Sequence, residues 1–322
     1  MVLSGLLLLP ILLFLLYVIV RPRPVNIPIK NRHVFITGGS IGIGLAIAKQ
    51  AASEGARRIS LLARSLDQLE KAKQSIHQAY EVEVSTFSAD VRDYGSVERA
   101  VNEAGPIDIL VVNHGVFYIE ELEKQGIDEV KTTIDVNLMG SFNVIKAALP
   151  LMKDRKDRGP ASIALMSSVS GQVGTYGYAA YSASKYGLRG LAEALQQEVL
   201  ANNIHVSIIF PPPTQTPGAK QALKTMPDIT KIIVGTSTAL LLEAEEVAKA
   251  TIQGIKSGCF SIPFGVVGRA ATVATAGLSP QRSFIMASIE VVFAGLFRFV
   301  GLLFQWNCYR IIEKNKNSHK KR

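Results

Sequence analysis

Short apolar runs alternate with longer amphipathic segments between residues 33 and 264, and this alternation constrains the fold more than any other feature. The runs have the uninterrupted apolar character of parallel strands that are buried on both faces. They lie at residues 33–37, 59–63, 82–87, 107–113, 161–167 and 204–210, with a seventh at 260–264. Because parallel strands are joined by crossover helices, the pattern predicts an α/β fold with a doubly wound parallel sheet of about seven strands.

Apolar segments flank this region at both ends of the chain. Residues 2–20 carry no charge and are long enough, at 1.5 Å per residue, to cross about 30 Å of hydrocarbon. The Arg-Pro-Arg-Pro sequence that follows lacks the small residues of a cleavage site, so we predict a transmembrane anchor with its flank at residues 1–24. A cleaved signal peptide is the alternative.

The C-terminal apolar segment, residues 283–309, is interrupted only by Glu290 and Arg298 and ends in Trp306 and Tyr309, which suit a membrane interface. We therefore predict a membrane-associated hydrophobic region over residues 266–309. Charges are costly at the centre of a bilayer, so a buried helical hairpin or a dimer interface is the alternative.

Charge is concentrated at the two ends of the chain. The formal net charge of +9 comes from four basic residues among the first 32 and a net of five among the last 13, so the middle is neutral. A neutral domain argues against nucleic-acid binding. The positive-inside tendency places residue 21 onward, and a basic tail at residues 310–322, in the cytosol. If the tail lies in the cytosol like the domain, the chain must cross the membrane an even number of times after the domain. Residues 266–278 would then form the first arm of a helical hairpin or a re-entrant segment.

A glycine-rich turn lies between the first predicted strand and an alanine-rich helix. Glycines there let the backbone approach a pyrophosphate, while the helix N-terminus directs free N–H groups toward it. The turn predicts a dinucleotide site that contains Gly38, Ser40, Ile41, Gly42 and Gly44.

Arg64 ends the second strand, twenty residues beyond Gly44, where an acidic residue would favour NAD. A guanidinium at that point, with Ser40 and Ser65 nearby, would accept the ribose 2′-phosphate of NADPH; an ordinary surface arginine is the alternative. Further cofactor contacts are predicted at the carboxyl ends of the next two strands, at Asp90, Val91, Asn113 and Gly115.

His114 is interpreted as a local hydrogen-bonding residue. The two cysteines and five histidines lack metal-ligand spacing, so no metal is predicted.

Tyr181 and Lys185 are four residues apart on a predicted helix and share one face. Ser168 ends the fifth strand, and the three side chains together could act on a carbonyl group. We expect Tyr181 to protonate the carbonyl oxygen, Ser168 to hydrogen-bond it, and Lys185 to lower the pKa of Tyr181 and hold the nicotinamide ribose. The neighbouring Ser167 could share the role of Ser168.

These residues resemble the short-chain dehydrogenase/reductase family, in the pattern Thr37-Gly38-x-x-x-Gly42-x-Gly44, Asn113-x-Gly115, Asn137, Ser168 and Tyr181-x-x-x-Lys185. The resemblance covers residues 30–265 and implies a Rossmann-type, NADP-binding domain that transfers a hydride. It further implies that Asn137 holds a water in a proton relay through Lys185, and that Thr216 lies near the nicotinamide carboxamide.

Within that family, the Pro-Pro-x-x-x-Thr-Pro-Gly segment that ends at Gly218 replaces the usual Pro-Gly. It is similar to the 3-ketodihydrosphingosine reductases, above all to plant members. The similarity implies NADPH-dependent reduction of 3-dehydrosphinganine, a long-chain keto base, to sphinganine at the endoplasmic reticulum membrane, with the catalytic domain facing the cytosol. Residues 213–233, which show little regular pattern, would then form a lid whose Ala219, Ala222, Leu223 and Met226 could meet the alkyl chain.

Two other functions are compatible with the sequence. A membrane-anchored steroid or retinol dehydrogenase would share the anchor, the cofactor and the three catalytic side chains, and a cofactor-sensing scaffold without activity would share the fold. A homo-oligomer is also left open.

Overall fold

The computed structural model describes residues 2–20, 25–155, 159–235 and 241–319. The flank at residues 21–24 and the last three residues of the predicted basic tail lie outside the described residues. Nine strands are found there, numbered in chain order: β1 His33–Thr37, β2 Arg58–Ala63, β3 Glu83–Ser88, β4 Ile109–Val112, β5 Ala161–Met166, β6 Ile204–Phe210, β7 Thr214–Gln215, β8 Leu242–Glu243 and β9 Ser261–Pro263.

Seven strands form one parallel sheet in the order β3-β2-β1-β4-β5-β6-β9. This confirms the predicted seven-stranded, doubly wound sheet. Strands β7 and β8 pair with each other in a separate two-stranded ribbon, which the sequence did not predict.

The described residues also form twelve α-helices: α1 Val2–Val20, α2 Gly42–Ser53, α3 Leu66–Ala79, α4 Tyr94–Ala104, α5 Ile127–Ile134, α6 Gly140–Lys153, α7 Ala179–Val199, α8 Pro217–Thr225, α9 Asp228–Val234, α10 Ala244–Lys256, α11 Gly265–Ala274 and α12 Phe284–His319. A π-helical turn, Asp135–Met139, joins α5 to α6, and 3-10 turns lie at Val169–Gly171 and Leu200–Asn202.

Two apolar layers cover the two faces of the sheet, as the uninterrupted apolar strands predict. Alternate residues of β1 face opposite layers: Phe35 packs in the layer with α4, α6 and α7, whereas Val34 and Ile36 pack in the layer with α2, α3 and α10. All five β1 residues are buried. The sheet is therefore closed on both faces and open at its carboxyl edge, where the loops lie.

Residues 213–233 are more regular than predicted, because most of this segment forms α8 and α9. Thr216 caps α8 by accepting a hydrogen bond from the Ala219 amide at 3.1 Å, and Pro217 occupies the first turn. Threonine followed by proline is a helix-start signal.

One helix of the described part of the chain, over Phe284–Asn315, is long and apolar enough to cross a membrane. It belongs to α12, which continues without a break through the predicted boundary at residues 309 and 310. Helix α11 is only ten residues long, and it buries Gly268, Thr272 and Val273. Helix α1, Val2–Val20, coincides with the predicted anchor, and no finding tests whether it crosses a membrane. The N-terminal anchor therefore stays a prediction, and α11 does not have the length of a first membrane arm.

Candidate active site

The glycine-rich turn connects the carboxyl end of β1 to α2. Gly38 and Gly42 adopt φ values of +63° and +58°, a left-handed conformation that suits glycine. Gly44 is constrained differently, because a Cβ there would lie 2.1 Å from the carbonyl oxygen of Gly38. Ile41 precedes α2 and has no side-chain oxygen to cap its amides. The turn thus has the close approach and the uncapped helix N-terminus that a pyrophosphate needs.

A polar network supports this turn from β4. The Asn113 amide nitrogen Nδ2 donates to the Gly38 carbonyl at 3.2 Å, and its backbone N–H donates to Thr37 Oγ1 at 3.0 Å. His114 is buried beside them, and its Nε2 donates to the Val136 carbonyl at 3.1 Å while Nδ1 lies 2.7 Å from Thr37 Oγ1. Burial, with a smaller contribution from the Lys185 charge, lowers the pKa of His114 to about 3. His114 is therefore a neutral hydrogen-bonding residue, as predicted.

The predicted adenosine end of the site lies at the carboxyl ends of β2 and β3. Arg64 is exposed, while the Ser65 hydroxyl accepts a hydrogen bond from the Gln68 amide and caps α3. Asp90 is paired with Arg92, whose Nη2 lies 2.6 Å from Asp90 Oδ2. Hydrogen bonding from Arg92 lowers the pKa of Asp90, and the Arg64 charge contributes to the same shift. Arg64 thus projects toward the same end of the site as Asp90.

Two other predicted cofactor residues, Ser40 and Val91, are buried at this edge. Val91 contacts Gly140 so closely that a Cβ on that glycine would lie 2.7 Å from Val91 Cγ2. Thr216 reaches the turn from the start of α8, since a Cβ on Gly42 would be 3.2 Å from Thr216 Cγ2. The residues present therefore fit a dinucleotide laid along the carboxyl edge.

Ser168, Tyr181 and Lys185 converge where β5 and α7 meet. Ser168 opens the 3-10 turn after β5, and its hydroxyl hydrogen-bonds the Tyr181 phenol. The Lys185 ammonium donates to the Met166 carbonyl at 2.9 Å and lies 5.5 Å from the centroid of the Tyr181 ring. The predicted triad is therefore assembled at one point of the sheet edge.

Burial sets the pKa values of this group. It raises the pKa of Tyr181 to about 12, against the smaller lowering effect of the Ser168 hydrogen bond, and it lowers the pKa of Lys185 to about 8. The sequence predicted a lowered pKa for Tyr181, so the direction differs. A phenol with a raised pKa keeps its proton at neutral pH, which is the form that can donate a proton.

Asn137 lies in the π-helical turn, a distortion that is frequent at functional sites. Its side chain accepts from the Val116 amide at 2.8 Å and donates to the Val116 carbonyl at 2.9 Å and to Ser184 Oγ at 3.0 Å. A Cβ on Gly115 would lie 3.3 Å from Asn137 Oδ1 and 3.5 Å from Lys185 Nζ. Asn137 and Lys185 therefore border the same small space above Gly115.

Ser167 does not share the position of Ser168. Its buried hydroxyl donates to the Lys185 carbonyl at 3.0 Å and supports the backbone of α7. A Cβ on Gly171 would lie 2.4 Å from that hydroxyl, so the turn after β5 packs tightly onto α7. The Ser167 hydroxyl is therefore engaged with the α7 backbone, whereas that of Ser168 faces Tyr181.

Two aromatic residues that the sequence analysis missed flank Tyr181. The Phe117 and Tyr178 rings have centroids 5.7 and 5.9 Å from that of Tyr181. Phe117 also packs against a small apolar cluster formed by Ile119, Ala222, Leu223 and Met226. Phe117 follows Gly115, a predicted cofactor contact, by only two residues, and this proximity in the sequence could have indicated that Phe117 lies at the site. The catalytic tyrosine thus has an apolar wall continuous with α8.

A model of the family described as short chain dehydrogenase matches residues 32–227. The chain belongs to the short-chain dehydrogenase family. As a member, it is an oxidoreductase that uses a nicotinamide dinucleotide. Among solved structures, levodione reductase superposes with a TM-score of 0.67 and 26% identity, covering 76% of this short-chain dehydrogenase and 98% of the other chain.

Relatives of known activity are similar over nearly the whole length. The 3-dehydrosphinganine reductases TSC10A and TSC10B of Arabidopsis thaliana are 60% and 57% identical, covering 92% and 96% of this chain and 90% and 93% of theirs. The 3-ketodihydrosphingosine reductase of Mus musculus is 34% identical over 97% of this chain and 94% of its own. The similarity extends beyond the short-chain dehydrogenase domain into the C-terminal extension.

Proposed function

We propose that this protein reduces 3-dehydrosphinganine to sphinganine in the synthesis of sphingolipid long-chain bases. The observation that carries the proposal is the 60% identity to a 3-dehydrosphinganine reductase over 92% of the chain. The assembled Ser168, Tyr181 and Lys185 group and the apolar wall beside Tyr181 support it.

The catalytic residues act on the ketone as follows. When bound, the nicotinamide supplies the hydride that adds to the carbonyl carbon. Tyr181 donates its phenolic proton to the carbonyl oxygen, which completes the alcohol. Ser168 stabilises the developing negative charge on that oxygen by donating a hydrogen bond.

Lys185 and Asn137 support the proton donor. The Lys185 ammonium stabilises the phenolate that remains after proton transfer, and it would hold the ribose of the bound nicotinamide nucleotide. Asn137 would position a water in the space above Gly115, through which Lys185 returns a proton to Tyr181.

Loss of the proton donor tests the reaction. We expect a Tyr181→Phe variant, in detergent, to lose at least about 10²-fold in turnover of 3-dehydrosphinganine while cofactor binding and thermal unfolding stay unchanged. The absorbance of the reduced cofactor follows the reaction. Unaltered turnover in the variant would contradict Tyr181 as the proton donor. A wild type that binds the cofactor but turns over no carbonyl substrate would favour the non-catalytic scaffold, and one that reduces only steroid or retinoid carbonyls would favour the membrane-anchored steroid or retinol dehydrogenase.

The proposed cofactor is NADPH, because Arg64 is exposed where the adenosine ribose would lie. We expect Arg64→Leu to raise the KM for NADPH about 10- to 100-fold, as the loss of a charge-assisted contact predicts, with little change for NADH. Arg57→Leu is the matched control, since Arg57 is an exposed arginine at the opposite end of β2. Equal effects on both cofactors would contradict the role of Arg64.

The protein is proposed to act at the endoplasmic reticulum membrane with its catalytic domain in the cytosol. A long alkyl chain strongly prefers the bilayer, at about 0.8 kcal/mol per methylene, so an enzyme for such a ketone benefits from membrane attachment. The apolar helix over Phe284–Asn315 is the feature that supports attachment.

A further inference from the structure

Three apolar side chains are exposed on helices beside the active site. Val266 and Val267, on the first turn of α11, are 85% and 81% exposed, and Ile232 on α9 is 57% exposed. We call these three residues the carboxyl-edge apolar surface. Adjacent valines with this exposure are unusual for a water-facing helix, which normally presents polar side chains to solvent.

The carboxyl-edge apolar surface lies at the same end of the sheet as the catalytic group. Strand β9 is parallel to the others and ends at Pro263, so α11 begins at the carboxyl edge, where Ser168 also lies. Helix α9 is attached to the same edge, because Thr230 Oγ1 donates to the Tyr176 carbonyl at 3.1 Å. Thr230 is buried, and Ile232, two residues further along the helix, projects away from the domain.

Helix α12 leads to this edge from the other end of the sheet. Just before α12, Arg282 donates to His205 Nδ1 at 2.6 Å, near the amino end of β6. Eight residues later, Glu290 lines a small cavity together with Gln172, which follows β5, and Phe210, which ends β6. Helix α12 packs against both α11 and α9, so it extends from the amino edge toward the carboxyl edge.

Beyond Glu290 the helix leaves the domain. Apolar residues of this part, among them Leu296, Phe299 and Leu303, are exposed on several faces of the helix. Helix α12, which carries the one candidate span of the described chain, therefore passes the edge that holds the active site and the exposed valines before it leaves the domain.

We propose that the carboxyl-edge apolar surface inserts into the interfacial layer of the bilayer that α12 enters, so that the active site opens toward lipid. Continuity with α12 identifies the bilayer as the occupant, because a helix that enters the membrane beside α9 and α11 brings their exposed apolar side chains to its surface. The alkyl chain of the substrate then reaches Tyr181 along the apolar wall formed by Phe117 and α8. That last step depends on the proposed function, whereas the insertion itself does not.

Lipid quenching tests the insertion without measuring activity. Trp306 is the only tryptophan of the chain, so a Trp306→Phe background allows a single reporter to be placed at Val267→Trp. In vesicles of phosphatidylcholine with brominated acyl chains, we expect at least a twofold loss of its fluorescence relative to unbrominated vesicles. The matched control is Leu200→Trp, because Leu200 is 56% exposed at the opposite edge, and it should show no loss. If the fluorescence of the Val267→Trp variant is equal in brominated and unbrominated vesicles, the proposal is wrong. A second protein that covers the valines would give the same result.

A kinetic measurement separates this proposal from the proposed function. We expect Val266→Asp with Val267→Asp to raise the KM for a long-chain keto base in vesicles about tenfold and to leave kcat unchanged, because the catalytic group is untouched. Leu200→Asp should leave both constants unchanged. An unchanged KM in the double variant would contradict the insertion, whereas a wild type that binds the vesicles and shows quenching but does not reduce the keto base would contradict only the proposed function.

Discussion

Gly44 shows how a single missing side chain shapes the cofactor turn. Its backbone is helical, so conformational freedom is not the reason for glycine at this position. The reason is contact: a Cβ would lie 2.1 Å from the Gly38 oxygen and 2.6 Å from Asn113 Nδ2. Neither atom can retreat, because the Gly38 oxygen accepts the hydrogen bond of Asn113. Helix α2 can therefore start this close to β1 only with glycine there.

We expect Gly44→Ala to displace the glycine-rich turn and to weaken cofactor binding at least about tenfold, with a loss of unfolding free energy of about 1–3 kcal/mol from overpacking. Gly190→Ala on α7 is the control, because nothing lies within 4 Å of a Cβ there. That change should stabilise the protein by up to about 1 kcal/mol, since alanine is the better helix former. Cofactor titration and thermal unfolding measure both; an unaltered Gly44→Ala would refute the contact argument.

Sequence spacing was sufficient to predict that the candidate catalytic side chains lie together, but not to predict their protonation. The four-residue interval between Tyr181 and Lys185 guarantees a shared helix face, so their proximity followed directly. The pKa of Tyr181 depends on how much surrounding protein removes water from the phenol, and that protein includes the distant Phe117. Such contacts form only in the folded chain, which is why the direction of the pKa change was missed.

Arg189 connects helix α7 to the C-terminal extension by several hydrogen bonds. Arg189 projects from α7, and its Nη2 donates to the carbonyl of Ala276 at 2.9 Å, to Ser279 Oγ at 2.8 Å and to the carbonyl of Thr275. Gln172 makes a second connection by donating to Thr272 Oγ1 at 2.7 Å. The segment between α11 and α12 is therefore held by side chains of the domain that carries the active site.

Replacement of this arginine tests the attachment. We expect Arg189→Met to lower the unfolding free energy by about 1–3 kcal/mol, because the hydrogen bonds are lost and partly buried carbonyl groups remain unpaired. Proteolysis should then cleave preferentially between α11 and α12. Arg99→Met is the control. Arg99 is an exposed arginine, and its described hydrogen bond, to Ser96, lies within α4. Cleavage at the wild-type rate would argue against the attachment.

The elements were predicted best where burial is symmetric. Strands with apolar residues on both faces are typical of a parallel central sheet, and the parallel sheet and its number of strands were predicted correctly. Helices α8 and α9 were expected as an irregular segment, because they are short and their apolar residues face a cluster around Phe117 rather than the sheet. The continuity of α12 across residue 309 was also not evident, since a change from apolar to basic composition does not end a helix.

His205 connects the central sheet to the extension that leads to α12. It is buried at the start of β6, where its Nδ1 accepts a hydrogen bond from Arg282 and its Nε2 lies 3.2 Å from Asn203 Oδ1. Burial, followed by the Arg282 charge, lowers the pKa of His205 to about 4. The contact requires a neutral imidazole, because a protonated Nδ1 would have no lone pair for the guanidinium.

Acid should therefore weaken the attachment. The unfolded chain binds a proton at His205 below about pH 6.5 while the folded chain does not until about pH 4, so stability is full above 6.5 and falls between these values. We expect His205 to contribute a loss of about 1.4 kcal/mol per pH unit across that window. Thermal unfolding in detergent at several pH values measures it, and His205→Gln should reduce the slope by that amount. His77→Gln, which changes an exposed histidine on α3, should leave the slope unchanged. If the unfolding free energies of His205→Gln and His77→Gln depend on pH with equal slopes, the Arg282 contact does not hold the extension on the sheet.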